Sequence, residues 1–189
     1  MASGGKGSGT PVRLIEDGAA NAATRPVDTS VFTEIMSRIA ASVWVVTAGH
    51  GESRVGRTAT SVMSLTAEPP RLVAAISAIS PLAQTIIAEG GFSLSLLAQG
   101  QEDIGDAFAG KIPPADRFLS AAWESWPSGR PRLRGAVAAI DCELAGVVDT
   151  GANTLFMGTL IATEILDADP LLWQHRAYHG LTPALPRKP

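Results

Sequence analysis

From Gly56 to Ile76 the chain reads Gly-Arg-Thr-Ala-Thr-Ser-Val-Met-Ser-Leu-Thr-Ala-Glu-Pro-Pro-Arg-Leu-Val-Ala-Ala-Ile, and two adjacent prolines divide it. Pro70 confines Pro69 to extended backbone, and neither ring donates a backbone hydrogen bond, so no helix can run through this stretch. The expected result is a strand, a bend at Glu68–Pro70, and a second strand. That second strand is more buried, because Leu72–Ile76 is small and branched apolar. The first strand is crowded with Thr58, Thr60, Ser61 and Ser64. Such short side chains keep the backbone close to whatever lies beside it and carry hydroxyl donors. Two readings stay open here: a strand against a flat, polar-rimmed, phosphate-bearing ligand, or a Thr/Ser-rich edge strand facing water.

The rest of the chain supplies a barrel around this stretch. Asp28, Thr29 and Ser30 are N-cap candidates, and Phe32, Ile35, Met36 and Ile39 recur at helical spacing, predicting a helix that ends near Ala41. Val43–Thr47 is β-branched and Gly49–Glu52 is turn chemistry, so with Val55–Ser64 they predict a hairpin. Ser80 before Pro81 starts a helix that Gly90-Gly91 stops. Its N-terminus, beside Ser77 and Ser80, is either an anion site or an ordinary cap. Phe92–Leu97 alternates as a strand, Gln101–Ala109 reads as a short helix, and Trp123–Arg134 as a long irregular excursion. Ala136–Val148 and Thr154–Leu166 are long strands joined by Asp149–Asn153. About six strands with short helices and no βαβ alternation predict a mainly β fold, an antiparallel barrel with helices packed outside. Residues 28–182 form the expected domain, between a Gly/Ser/Ala-rich arm over 1–27 and a tail over 183–189.

Composition removes several function classes. A net charge of −3 without a Lys/Arg cluster speaks against nucleic acid or an anionic membrane as partner. Hydrophobic residues reach 46% against 17% charged, apolar for a monomer and leaning to burial between subunits. The single cysteine, Cys142, allows no intramolecular disulfide and reads as a small buried residue in an apolar alternation. No apolar run approaches the roughly 20 residues of a membrane span, and no signal-peptide pattern opens the chain, so a cytoplasmic location is expected. Of three histidines, His175 and His179 lie four apart without the glutamate of a zincin or an evident third ligand, so no metal site is expected. A Gly-x-Ser-x-Gly elbow and a Gly-x-Gly-x-x-Gly turn are both missing, which removes serine hydrolysis and the Rossmann route to nicotinamide.

From Phe32 to about Leu181 the chain resembles the flavin reductase family, split-barrel flavin-binding proteins that form the small component of two-component monooxygenases. The matching pieces stand in family order. They are Ser42–Thr47, Gly56–Ser61 running on to Pro69-Pro70, Phe92–Leu97, Phe108-Ala109-Gly110 with Asp116-Arg117-Phe118, Pro131-x-Leu133-x-Gly135, Asp141-Cys142-Glu143, Thr154–Gly158 and Tyr178-His179. No single piece is specific, but their succession over most of the chain is. The resemblance implies a six-stranded Greek-key split barrel that forms a homodimer, with a flavin in each cleft between subunits. FMN is the expected flavin, FAD being possible in the family, and NADH or NADPH the hydride donor. Reduced flavin then serves a partner monooxygenase.

Carried over by position, the resemblance gives Thr58, Ala59, Thr60 and Ser61 to the isoalloxazine and ribityl chain. Ser77 and Ser80 fall in the phosphate-side loop, and His179 stands near the nicotinamide as the catalytic candidate, with Tyr178 beside it. Six positions depart from the family pattern. Ser80-Pro81-Leu82 replaces Ser-Arg-Thr, which removes a cation and a hydroxyl from the phosphate side. Arg57 stands where a small or apolar residue is usual and is a candidate substitute for that cation. Ser95 replaces an asparagine, and Gln174 and Asn153 replace histidines. A flavin- or haem-binding split barrel without catalysis is the alternative these changes leave open.

Overall fold

The computed structural model describes residues 25–181. Most of the expected arm and the whole expected tail lie outside the described residues. By contact the chain divides after Ile35. The described part of the first unit is Arg25–Ile35, where α1 (Thr29–Ser37) begins with a 3.1 Å bond from the Phe32 N–H to the Asp28 carbonyl. The helix stops at Ser37, short of the expected Ala41, because Ala41 and Ser42 are drawn into a strand, β1, opposite Trp173 and Leu172.

In the second unit one antiparallel sheet dominates. Its order is β3 (Val55–Ala59), β2 (Trp44–Ala48), β6 (Gly91–Leu96), β9 (Ala138–Asp149), β10 (Asn153–Ile165), β5 (Pro70–Ser77) and β4 (Val62–Ala67). β3 and β4 stand at opposite edges of this sheet, yet only Thr60 and Ser61 separate them in sequence. Three peptide bonds reach about 11 Å at most. The sheet must therefore curl until its two edges nearly meet, which makes it a barrel with a seam at Thr60–Ser61. The mainly β barrel expected from the sequence is borne out. Its Val55–Ser64 arm is divided, however: Val55–Ala59 pairs with β2, while Val62 onward pairs with β5, so the sheet has seven strands.

Alternation along β2 shows the two layers this sheet separates. Val46 faces the barrel interior with Leu94, Phe92, Cys142, Ala74 and Phe156. Leu82 and Ile86 of α2 (Pro81–Glu89) pack into that same core. Ser80 caps α2 as expected, accepting from the Ala83 N–H at 3.1 Å, and Gly90 ends it at φ 66°. Val45 faces the other way, into a second core with Ile104 of α3 (Glu102–Asp106), Phe108 and Leu133.

The Trp123–Arg134 excursion is a hairpin rather than irregular chain. β7 (Trp123–Ser125) pairs with β8 (Pro131–Leu133) around a turn closed by a 2.9 Å bond from the Trp126 N–H to the Arg130 carbonyl. Two polar contacts clamp it to the barrel wall: Arg130 pairs with buried Asp141 at 2.8 Å, and the Trp126 indole donates to the Ser93 hydroxyl at 3.0 Å. The arginine reaches Asp141 across Gly91, where any Cβ would collide with its guanidinium. Both anchors come from residues distant in sequence, which local pattern cannot show. The chain ends in a second small hairpin, β11 (Leu172–Gln174) with β12 (Ala177–His179), paired to β1.

Candidate functional site

β3 runs up to the barrel seam, and its end forms one wall of a cleft. Arg57, Thr58, Ala59 and Thr60 line about 220 Å³ of space together with Ala109, Trp173 and Tyr178. Each wall is held by its own device. Thr58 donates its hydroxyl hydrogen to the Gly105 carbonyl at 2.6 Å, tying β3 to the end of α3. Its lone pairs remain available to accept. After α3 the backbone widens into one π turn, Ala107–Lys111, with Gly110 at φ 106°. Phe108 enters the second core, and Ala109 is left on the cleft.

The aromatic wall comes from the terminal hairpin. Tyr178 packs edge-on against Trp173, with centroids 4.9 Å apart, and its hydroxyl donates to Asp106 at 2.9 Å. Asp106 also receives Lys111 at 2.7 Å. The approach needs Gly105, since a Cβ there would lie 2.6 Å from the Tyr178 hydroxyl oxygen. Burial first, then the bond to Asp106 and that carboxylate's charge, push the Tyr178 phenol above its ordinary value. The bond from Lys111 chiefly holds Asp106 below its own. Tyr178 is thus a neutral, fixed ring at physiological pH, suited to orienting a flat ligand rather than moving its protons.

The other expected site residues are distributed around this cleft. Ser61 continues the seam beyond Thr60, exposed, its carbonyl accepting from the Ala75 N–H at 3.0 Å. His179 follows Tyr178 on β12, exposed, with Nε2 3.0 Å from the Gln174 carbonyl. That contact requires a proton on Nε2. His175 and Arg176 form the hairpin turn at φ 49° and 60°, so His175 and His179 belong to a hairpin and not to a shared helix face. Among the described residues no group of three or more His, Cys, Asp or Glu could hold a metal.

Ser77 is exposed at the end of β5. Ser80 is buried, and its hydroxyl hydrogen goes to the Ser77 carbonyl at 2.8 Å while its oxygen caps α2. Neither the hydroxyl hydrogen nor the cap position leaves Ser80 free to donate outward. Ser95 is buried on β6 between Val45 and Ala139, away from the cleft lining. The structure therefore gathers Arg57, Thr58, Ala59, Thr60 and Tyr178, and keeps Ser77, Ser80 and Ser95 apart from them. Sequence reasoning missed Asp106 and Gly105, which position Tyr178 from about seventy residues upstream. No local pattern announces them.

Known proteins share this fold. Residues 36–182 match the family model of the flavin reductase like domain. The FMN reductase (NADH) RutF of Stutzerimonas stutzeri is 33% identical over 83% of this chain and 91% of its own length. The NADH:FAD oxidoreductase SgcE6 of Streptomyces globisporus superposes with a TM-score of 0.77 at 27% identity, covering 86% of this chain and 99% of that one. BorF, the flavin reductase component of a bacterial two-component tryptophan halogenase, gives 0.75 at 29% identity over 82% of this chain and 98% of its own. Among the described residues no helix is long and apolar enough to cross a membrane. With the matched domain spanning most of its length, the chain belongs to the flavin reductase-like family.

Proposed function

We propose that this protein is an NADH-dependent flavin reductase that reduces FMN, with FAD as an alternative flavin, and passes the reduced flavin to a partner monooxygenase. The observation that carries this is the seam cleft. A strand end of small and hydroxyl side chains faces a fixed aromatic wall, in a chain 33% identical to an FMN reductase (NADH). The flavin, when bound, supplies the acceptor for the nicotinamide hydride. The protein's work is placement, which on its own is worth several orders of magnitude in rate. Ala59 and Thr60 let a planar ring approach the backbone closely, and Thr58 and Ser61 offer oxygen and nitrogen partners to its polar rim. Tyr178, which lines the same cleft, would help to hold the ring. His179, adjacent to it, leaves the Gln174 carbonyl to meet the nicotinamide side.

A second copy of the chain completes the site in this reading. The cleft of about 220 Å³ is smaller than the about 300–1,000 Å³ typical of ligand sites. Beyond the seam, β4 and the far end of β10 leave Met63, Leu65, Ile161 and Ile165 exposed. A homodimer covers such apolar surface and adds a further wall. The reading also takes residues 28–182 as the working domain and the cytoplasm as its location.

NADH oxidation at 340 nm, measured with and without FMN and then FAD, tests the assignment. Turnover that requires free flavin and falls at least tenfold in His179→Ala is expected. Flavin binding without any NADH or NADPH oxidation would instead identify a carrier, the reading that the engaged His179 favours.

A further inference from the structure

We propose that Gln174 is a positioning residue for His179. Its side chain anchors the corner of the terminal hairpin, and its carbonyl holds the imidazole in a resting place from which the nicotinamide has to draw it. The inference rests on the reductase reading, in which His179 meets the nicotinamide.

The hairpin corner is strained and held from outside. His175 and Arg176 make its two-residue turn at φ 49° and 60°, and neither is a glycine. Residues with a Cβ stay in left-handed backbone only where their surroundings fix it. Here the fixing groups lie at the other end of the chain. The His175 N–H donates to the Ser37 carbonyl at 2.6 Å, and the Gln174 side-chain amide donates to the Arg38 carbonyl at 2.7 Å. Both acceptors stand at the end of α1, where a helix turns its last carbonyls outward to accept from elsewhere. Gln174 and Arg38 are 136 positions apart, so no local motif reveals the contact.

From this fixed corner the Gln174 carbonyl meets His179 Nε2 at 3.0 Å. The histidine stands opposite Leu172 in the ladder, so its ring leans two positions along β11 to reach that oxygen. His179 is exposed, and among the described residues this is the ring's one hydrogen bond. A ligand that needs the imidazole therefore competes with the carbonyl, and its apparent affinity falls with the fraction of molecules in which the ring is available. Trp173 and Tyr178 belong to the same hairpin but are fixed separately, by each other and by Asp106. Gln174 can thus tune the nicotinamide step without moving the wall that faces the flavin.

FMN-dependent NADH oxidation by the full-length protein, together with NAD⁺ titrated against the FMN-loaded protein, tests this. Gln174→Ala removes the anchor, and Gln174→Glu keeps the side chain's length without an N–H to donate. Each is expected to lower the KM for NADH and the Kd for NAD⁺ about threefold or more, within what one net hydrogen bond allows, with FMN affinity unchanged. In a His179→Ala background neither substitution should shift NAD⁺ affinity further, because the competition it relieves is gone. The Glu variant keeps the test informative if Gln174→Ala fails to fold. A KM that stays level or rises, or a fall that persists without the imidazole, overturns the role of Gln174 and leaves the reductase reading standing. Loss of FMN affinity in step with the nicotinamide effect overturns it too, making Gln174 a support of the aromatic wall. Absence of flavin-dependent NADH oxidation in the wild type removes the reductase reading, and the inference with it.

Discussion

β2 and β4 are separated in sequence by one strand, β3, uncharged, and parts of one sheet, yet their surroundings are opposite. In β2, Val45, Val46, Thr47 and Ala48 are all at 0% exposure, whereas β4 leaves Met63 at 61% and Leu65 at 45%. Hydropathy does not separate them. Position does: β2 lies between β3 and β6 with a core on each face, and β4 is an edge strand hydrogen-bonded to β5 alone. An apolar edge strand left bare is a hazard that natural proteins ordinarily cover or charge. The contrast divides the barrel into a half that is finished within one chain and a half with a bare apolar edge, the surface our proposed homodimer would cover.

Breaking the finished half should have the largest effect. Phe92 is fully buried beside Cys142 and Gly158. Phe92→Ala is expected to cost about 3–5 kcal/mol in denaturant unfolding, through lost burial and the cavity left behind. Cys142 reports the same event. Burial first, then the Asp141 charge, push its thiol up to about 12, so alkylation should be negligible in the wild type and rise in the variant. Arg130→Ala comes next, at about 3 kcal/mol, because it leaves buried Asp141 without its counter-charge. If it unfolds no more easily than wild type, the hairpin clamp is decorative and the second core alone holds the cover in place.

On the bare half the order of effects reverses. Met63→Asp with Leu65→Asp should change monomer stability by no more than about 0.5 kcal/mol, since exposed substitutions seldom do more. The same pair should convert a dimer to monomer in light scattering behind size exclusion, and weaken flavin binding with it. A dimer that survives both charges would move the subunit interface elsewhere. A stability loss as large as that of Phe92→Ala would erase the distinction between the two halves.

Much of this division was legible before any coordinates. The Pro69-Pro70 break, the Ser80 cap and the two long strands follow from local chemistry, and each appears where the residues demand it. The seam was not legible, because Val55–Ser64 reads as one strand. Only the competition between β2 and β5 for its two halves divides it at Thr60. The site shows the same limit. Thr58, Ala59 and Thr60 come forward through the family resemblance, but Tyr178 is held by Gly105 and Asp106 through contacts that exist only after folding.

The smallest expected effect lies where the terminal hairpin joins the cleft. Tyr178→Phe removes one hydrogen bond to Asp106 but keeps the ring against Trp173, for a cost of about 1 kcal/mol. Asp106 keeps Lys111, a mostly exposed partner, so that pair is worth about 0.2–1 kcal/mol. Because these partners hold the Asp106 carboxyl below its ordinary 3.8, their stabilisation is complete above that pH and disappears as pH falls through the depressed value. Asp106→Asn should therefore lower the melting temperature slightly at neutral pH and converge with wild type in acid. A difference that persists in acid once the carboxyl is protonated in both states would mean that the substituted amide packs poorly in its own right, and that carboxylate charge has little part in fixing Tyr178. If instead the melting curves coincide at neutral pH while the flavin affinity of Asp106→Asn falls, the bond orients the ring for its ligand without adding to the fold. Such an outcome would set the cleft apart from both halves of the barrel.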